Sequence, residues 1–156
     1  SLRRLSGREE VSRLFRRSNI PFEWIGADRF DASSLSIRII SKPIDAKSRN
    51  SLVVGLAPGT REVRGKLAFV FYNRIHLYSA QLGLDTSQML GHVIAHELGH
   101  LLLPYGAHSI AGIMRPAWDR VQVTNAAGGT LAFTSDQAEL IRKRLSAAAS
   151  PIAHAR

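Results

Sequence analysis

The chain of 156 residues contains no cysteine, and no apolar run in it is long enough to cross a membrane as a helix. The first absence excludes disulfides, thiolate catalysis and every metal site with a cysteine ligand. The second absence excludes a transmembrane helix, because such a helix needs about 20 consecutive apolar residues. The sequence also has no internal repeat and no low-complexity tract. With 45% apolar and 21% charged residues, it is typical of a globular chain, and its length fits one domain over residues 1–156.

Acidic residues are scarce relative to basic ones. The chain carries 21 Lys and Arg against 12 Asp and Glu, which is a formal charge of +9. This excess suits a nucleic acid or an anionic surface, but the arginines are scattered and few aromatic residues lie among them. We therefore interpret the charge as a source of solubility and expect no nucleic-acid partner. Because Ser1 is not an initiator methionine, we expect a trimmed chain whose signal peptide, if one existed, lies outside this sequence.

Hydrophobic periodicity and turn residues predict a mixed order of helices and strands. Ser6 and Glu9 have the spacing of a capping box, which predicts the start of the first helix. Asp85 and Gln88 have the same spacing before a long helix that is apolar on nearly every face, which is typical of a central, buried helix. The predicted elements are helices at 7–18, 75–82, 87–103 and 135–148 (the last capped by Thr134 or Ser135), strands at 35–41, 52–56 and 67–72, a loop at 104–130, and frayed ends at 1–5 and 150–156.

The long helix contains the sequence His-Glu-Leu-Gly-His, from His96 to His100. Two histidines four residues apart lie one turn apart on the same helix face, so both imidazoles can bind one ion. Glu97 lies beside them, within reach of a proton on a water bound to that ion. Two imidazoles and a carboxylate in an apolar helix carry a large desolvation cost unless a partner compensates them. A zinc ion is such a partner for all three.

A catalytic zinc ion needs three protein ligands and one open position. His92 lies about 12 Å from His100 along the helix axis, so we interpret it as a packing or supporting residue and not as a ligand. His108 is the preferred third ligand, because the proline that ends the helix lets the chain turn back toward the metal. Glu139 and Asp119 remain alternative third ligands.

The segment from His96 to Ser109 resembles the zinc-binding consensus of the metzincin metallopeptidases. Residues 112–118, Gly-Ile-Met-Arg-Pro-Ala-Trp, are similar to their Met-turn, in the Met-x-Pro-x-aromatic form of the matrixins. The chain departs from the family pattern at two places. Leu103 stands where the family has a glycine, and the third histidine follows the second by eight residues instead of six. The resemblance covers residues 94–118.

The resemblance implies a role for each matched residue. His96, His100 and His108 would bind zinc, Glu97 would be the general base, and Met114 would lie beneath the metal. The implied activity is zinc-dependent endopeptidase cleavage of an extended polypeptide, with one catalytic Zn²⁺ ion. The resemblance also favours a secreted or extracytoplasmic location.

The resemblance implies an α+β fold as well. We expect a small twisted mixed sheet of three to five strands, packed on a backing helix and a central active-site helix, with a C-terminal helix after the Met-turn. By position, residues 67–72 resemble the strand along which metzincins align a peptide by main-chain pairing, and the alternative is an ordinary sheet strand. Tyr105 is either an oxyanion donor or substrate contact, or a loop aromatic that covers the core.

Two other functions remain open at this point. SprT-like proteases also carry His-Glu-x-x-His and act on DNA-bound proteins, and the basic charge would suit that activity, although they lack a Met-turn. The second alternative is a zinc-binding domain without catalysis, because structural zinc sites are closed by four protein ligands.

Overall fold

The computed structural model describes residues 2–41, 53–118 and 120–149, and in this part of the chain it contains five α-helices and a three-stranded sheet. The helices are α1 (Leu2–Arg17), α2 (Tyr72–Leu82), α3 (Thr86–Leu102), α4 (Arg120–Ala127) and α5 (Ser135–Ala149). The strands are β1 (Ser36–Ile40), β2 (Gly55–Leu56) and β3 (Leu67–Phe71), and one 3₁₀ turn covers Ala27–Arg29. The predicted fold class, helices with a small mixed sheet, is confirmed.

The sheet has the strand order β1-β3-β2. β1 runs parallel to β3, with Ser36 opposite Leu67 at one end, whereas β2 runs antiparallel to β3, with Gly55 opposite Val70. Ala68 and Val70 are fully buried because alternate side chains of a strand point to the same side of the sheet. β3 is therefore the central strand, and β2 forms one edge of the described sheet.

Helix α3 is the central helix of the core, as its apolar faces predict. It packs against α1 and α2 and against the buried side of β3. Its own buried side chains and those of α1 form a large part of the core. The buried members include Val11, Leu14 and Phe15 of α1 and Met89, Leu90, Val93, Ile94, Ala95, Leu98, Leu101 and Leu102 of α3.

Both ends of α3 follow from local sequence. The Asp85 carboxylate accepts a hydrogen bond from the Gln88 backbone N–H at 2.9 Å, so the predicted cap is confirmed. At the other end Leu103 is extended, because the proline after it disfavours helical geometry. The helix therefore stops where the chain must turn toward the second half of the candidate site.

Helix α5 begins with a complete capping box. The Gln137 backbone N–H donates to Thr134 Oγ1 at 3.3 Å, and the Thr134 N–H donates to Gln137 Oε1 at 3.0 Å. Thr134, and not Ser135, is therefore the cap of this helix.

The predicted start of α1 is wrong. The helix begins at Leu2, so Ser6 and Glu9 lie inside it and do not mark its first turn. Leucine and arginine are strong helix formers, and residues 2–5 consist of them alone, which extends the helix toward the N-terminus. Residues 2–5 are therefore helical, although the sequence pattern predicts fraying there.

The predicted loop over residues 104–130 is also wrong in part, because it contains α4. This short helix is held by side chains from distant parts of the chain. Gln88 Nε2 donates to the carbonyl of Ala126 at 2.8 Å, and Arg13 donates to the carbonyl of Gly129 at 3.0 Å. The first contact satisfies a carbonyl group in the last turn of the helix and the second a carbonyl group just after it, and no local pattern reveals them.

Two further bounds differ from the prediction. The strand expected at 52–56 is limited to Gly55–Leu56 in the described residues, and Leu52 lies outside them. Helix α2 follows β3 without a loop, so Tyr72 is helical and does not extend the strand. The buried side chain of Ile75 anchors α2 to the core, which explains why the helix starts so close to the sheet.

Candidate metal centre

Three imidazole groups converge at one point of the structure. His96 and His100 lie one turn apart on α3, and His108 returns from the segment after that helix. One ring nitrogen from each lies within 4.8 Å of the other two. The Nε2 atoms of His96 and His100 are 3.1 Å apart. Two nitrogens bound to the same tetrahedral zinc ion lie about 3.4 Å apart, so the spacing of this pair fits such an ion.

The environment keeps two of these imidazoles neutral at pH 7. Burial lowers the pKa of His96, and the proximity of His108 lowers it further, against the opposing effect of a hydrogen bond to Ile113. Burial lowers the pKa of His100 to about 4, with contributions from His96 and His108. Metal binding needs the neutral form of the imidazole, so both rings are ready to act as ligands.

A backbone carbonyl orients the first ligand. His96 Nδ1 lies 2.6 Å from the carbonyl oxygen of Ile113, so Nδ1 carries the proton and donates it. Nε2 is then left with its lone pair facing the other two histidines, which is the usual arrangement around a metal-bound histidine. The sequence alone does not reveal the Ile113 carbonyl as part of the candidate site, because a backbone acceptor has no sequence signature.

Glu97 lies in the same cleft and is not one of the converging ligands. Its side chain is 5% exposed, and burial raises its pKa to about 7. The carboxylate lies against the backbone of β2: a Cβ atom placed on Gly55 would lie 2.3 Å from Glu97 Oε1. Position 55 therefore needs glycine for Glu97 to occupy this place. Gly55 has no signature as a site residue in the sequence, since a glycine has no side chain whose chemistry could mark it as part of a site.

Met114 lies under the helix that carries the ligands. It is fully buried, and a Cβ atom placed on Gly99 would lie 2.3 Å from the Met114 sulfur. Gly99 immediately precedes His100, so the methionine packs against the backbone turn that carries the two helical ligands. Its predicted position beneath the metal stays a prediction.

The converging residues open into a cleft of about 630 Å³. One wall is β2 with the turn that follows it, the floor is α3, and the other wall is the segment around Arg115 and Trp118. Tyr105 lines the cleft and is 62% exposed, so its alternative interpretation as an aromatic that covers the core is wrong. An apolar part of the cleft is lined by Tyr78, Met89 and Val93 together with Trp118.

The other candidate ligands do not join this group. His92 is fully buried, with Nδ1 2.8 Å from the Gln88 carbonyl oxygen and Nε2 3.6 Å from Glu10 Oε1, so it is a packing residue as predicted. Glu139 is exposed on α5 and pairs with Lys143 at 2.8 Å. Asp119 lies outside the described residues.

No protein-family model, curated protein or solved structure matches this chain. Among the described residues, no helix combines the length and the apolar character required to span a membrane. What the structure shows at this site is a group of three histidines able to hold a metal ion.

Proposed function

We propose that this chain is a zinc-dependent endopeptidase of the metzincin type. The observation that carries the proposal is the convergence of His96, His100 and His108 in one cleft with Glu97, a carboxylate outside the ligand set. Zinc is the proposed ion because a set of three neutral imidazoles with an open position is a common catalytic zinc site. When bound, zinc supplies a Lewis acid that lowers the pKa of water to about 7 and stabilises an oxyanion.

Glu97 performs the proton transfer in this proposal. Its carboxylate takes a proton from the attacking water and later delivers it to the nitrogen of the departing amine. The contact with Gly55 holds the carboxylate at the wall of the cleft, where a substrate carbonyl would be bound. His96, oriented by the Ile113 carbonyl, and His100 and His108 hold the ion.

The edge strand β2, and not β3, is the strand with which we propose that an extended substrate pairs. Of the two interpretations of residues 67–72, the substrate-pairing strand is wrong and the ordinary sheet strand is right, because β3 pairs with β1 on one side and with β2 on the other. The Phe71 N–H donates to the Val54 carbonyl, so in the alternating pattern of antiparallel pairs the backbone groups of Gly55 point away from β3. A peptide can therefore pair with β2 along the wall of the cleft.

A degenerate peptide library incubated with the zinc-loaded chain tests this function. We expect cleavage of internal peptide bonds, loss of cleavage after a chelator removes the metal, and recovery when zinc is returned. Glu97→Gln should bind zinc like the native chain and cleave at least about 10²-fold more slowly, whereas Glu139→Gln, at an exposed position on α5, should cleave normally. A zinc-loaded chain that cleaves no peptide would refute the proposal, as would full activity of Glu97→Gln.

A further inference from the structure

The side chain of Gln137 is a buried amide whose oxygen and nitrogen both form hydrogen bonds. It lies beside the segment that carries His108. It is 8% exposed. Its oxygen accepts the Thr134 N–H in the capping box, and its nitrogen donates to Ser109 Oγ at 2.8 Å. This last bond joins α5 to the residue directly after the third histidine of the cluster, 28 positions earlier in the chain.

The partners leave the amide only one orientation. The backbone N–H of Thr134 can only donate, so the Gln137 atom facing it must be the oxygen, and the nitrogen then faces Ser109. The Ser109 hydroxyl donates its own hydrogen to the Ala111 carbonyl at 2.7 Å, so its oxygen can accept the Gln137 N–H. A glutamine side chain supplies both the acceptor for the Thr134 N–H and the donor for Ser109 Oγ, whereas an ionised glutamate would supply only acceptors.

Two backbone hydrogen bonds in the same region stabilise the turn that carries His108. The Ser109 N–H donates to the Met114 carbonyl at 3.1 Å, which closes residues 109–114 into a compact loop. The Ile113 N–H donates to the Ala132 carbonyl at 2.9 Å, in the segment that leads into α5. His108 is the exposed member of the cluster and is not part of a helix, so its position depends on this loop more than the other two positions do.

We propose that Gln137 is a positioning residue for the third metal ligand, acting through Ser109 to hold His108 at the distance that the other two imidazoles require. The proposal rests on the zinc site of the proposed function and adds a residue that touches neither the ion nor the substrate. Loss of a group that supports a ligand lowers metal affinity by about 10- to 100-fold, and we expect an effect near the lower end because Gln137 acts through a neighbour of the ligand.

The zinc dissociation constant, measured by competition with a chromophoric chelator, tests the proposal. Gln137→Glu keeps the acceptor for Thr134 and loses the donor for Ser109, so this variant keeps the capping box of α5. We expect Gln137→Glu, Gln137→Leu and Ser109→Ala each to weaken zinc binding about tenfold. The double variant Gln137→Glu with Ser109→Ala should bind zinc no more weakly than Ser109→Ala alone, because the N–H that Gln137→Glu removes has no acceptor once Ser109 is replaced by alanine.

Thr134→Val is the matched control. It removes the hydroxyl of the capping box without touching Ser109, so it should lower the melting temperature of the chain and change zinc affinity less than about twofold. A second readout is the visible absorption of the cobalt-substituted chain, which reports ligand geometry. It should change in Gln137→Glu and Ser109→Ala and stay unchanged in Thr134→Val.

Three results would overturn the positioning role: native zinc affinity in both Gln137→Glu and Ser109→Ala, effects that multiply in the double variant, or an equal loss of affinity in Thr134→Val. If Gln137→Leu does not fold, the zinc affinities of Gln137→Glu and Ser109→Ala still test the positioning role. A native chain that binds no zinc would refute the proposed function and this role together. A native chain that binds zinc, with variants that bind it equally well, would refute the positioning role alone.

Discussion

The carboxylate of Glu97 occupies the space that a side chain at position 55 would need. A Cβ atom on Gly55 would lie 2.3 Å from Oε1, 2.6 Å from Cδ and 2.7 Å from Cγ of Glu97. The edge strand of the sheet and the proposed general base on α3 are therefore in direct contact. The contact links the position of the proposed substrate-binding strand to the position of the proposed proton-transfer group.

Replacing Gly55 with alanine should displace Glu97 and slow catalysis while the metal stays bound. A displacement of about 1 Å in a positioned group can cost about 100-fold in rate, so we expect kcat to fall by that order. Zinc content should not change, because glycine offers no side-chain ligand and Glu97, which Gly55 contacts, is not one of the three converging histidines. Ile39→Ala, which shortens an exposed side chain on β1 away from the residues that line the cleft, is the control and should retain most of the activity. Native kcat in Gly55→Ala would show that Glu97 is not held by this contact.

Gly99→Ala should destabilise the chain in spite of the better helix propensity of alanine. Alanine gains about 1 kcal/mol over glycine in a helix, but overpacking a buried contact costs about 1–3 kcal/mol. The new methyl group would meet the Met114 sulfur at 2.3 Å and a Phe133 ring carbon at 2.9 Å. Urea unfolding of Gly99→Ala, Met114→Ala and the double variant measures the coupling. The double variant should be less destabilised than the sum of the single variants by about 1 kcal/mol, and strict additivity would contradict the contact.

The ion pair between Glu10 and Arg13 should make stability depend on pH in the acid range. Burial raises the pKa of Glu10, but the hydrogen bonds from Arg13 and the charges of His92 and Arg13 outweigh it, so the pKa lies below its ordinary value of 4.5. Because the folded state favours the charged form, the contribution is complete above pH 4.5 and is lost as the pH falls through the lower, folded-state pKa. Glu10→Gln should therefore lower the free energy of unfolding by roughly 1–3 kcal/mol near pH 6, and by progressively less below pH 4.5. A difference that stays constant down to pH 2 would contradict this.

The cleft should prefer peptides with acidic side chains. Among the described residues that line it, Arg64 and Arg115 are basic and Glu97 is the single carboxylate. Exposed charge pairs contribute about 0.2–1 kcal/mol, so replacing Lys with Glu in a peptide should raise kcat/KM by about two- to fivefold at low salt. Arg64→Glu should reverse the preference, Arg16→Glu on the exposed side of α1 should not, and added salt should reduce the effect. Equal cleavage of the Glu and Lys peptides by the native chain would refute this preference.

The elements that local sequence dictates were predicted well. The central helix, its Asp85 cap and its end before Pro104 follow from neighbouring residues, and the structure contains all three. The convergence of His96, His100 and His108 was also predicted, because the first pair follows from helix geometry and the third from a turn after the proline. The identity of the ion and the reaction remain predictions.

The parts that sequence did not reveal depend on contacts between distant segments. Helix α4 depends on Gln88, and the central place of β3 depends on pairing with two strands that the pattern alone cannot order. Gly55 is recognisable as a site residue only once Glu97 is seen against it. The Ile113 carbonyl is a backbone group whose role is defined only by the His96 ring that it meets.

Zinc content, measured by elemental analysis after exhaustive dialysis, tests the central claim most directly. The native chain should retain one zinc ion per molecule, and His108→Ala should lose most of it, since only two of the three converging ligands remain. His76→Ala, which removes an exposed histidine on α2, is the control and should retain the ion. A native chain without zinc, or a His108→Ala variant that retains all of it, would contradict the account.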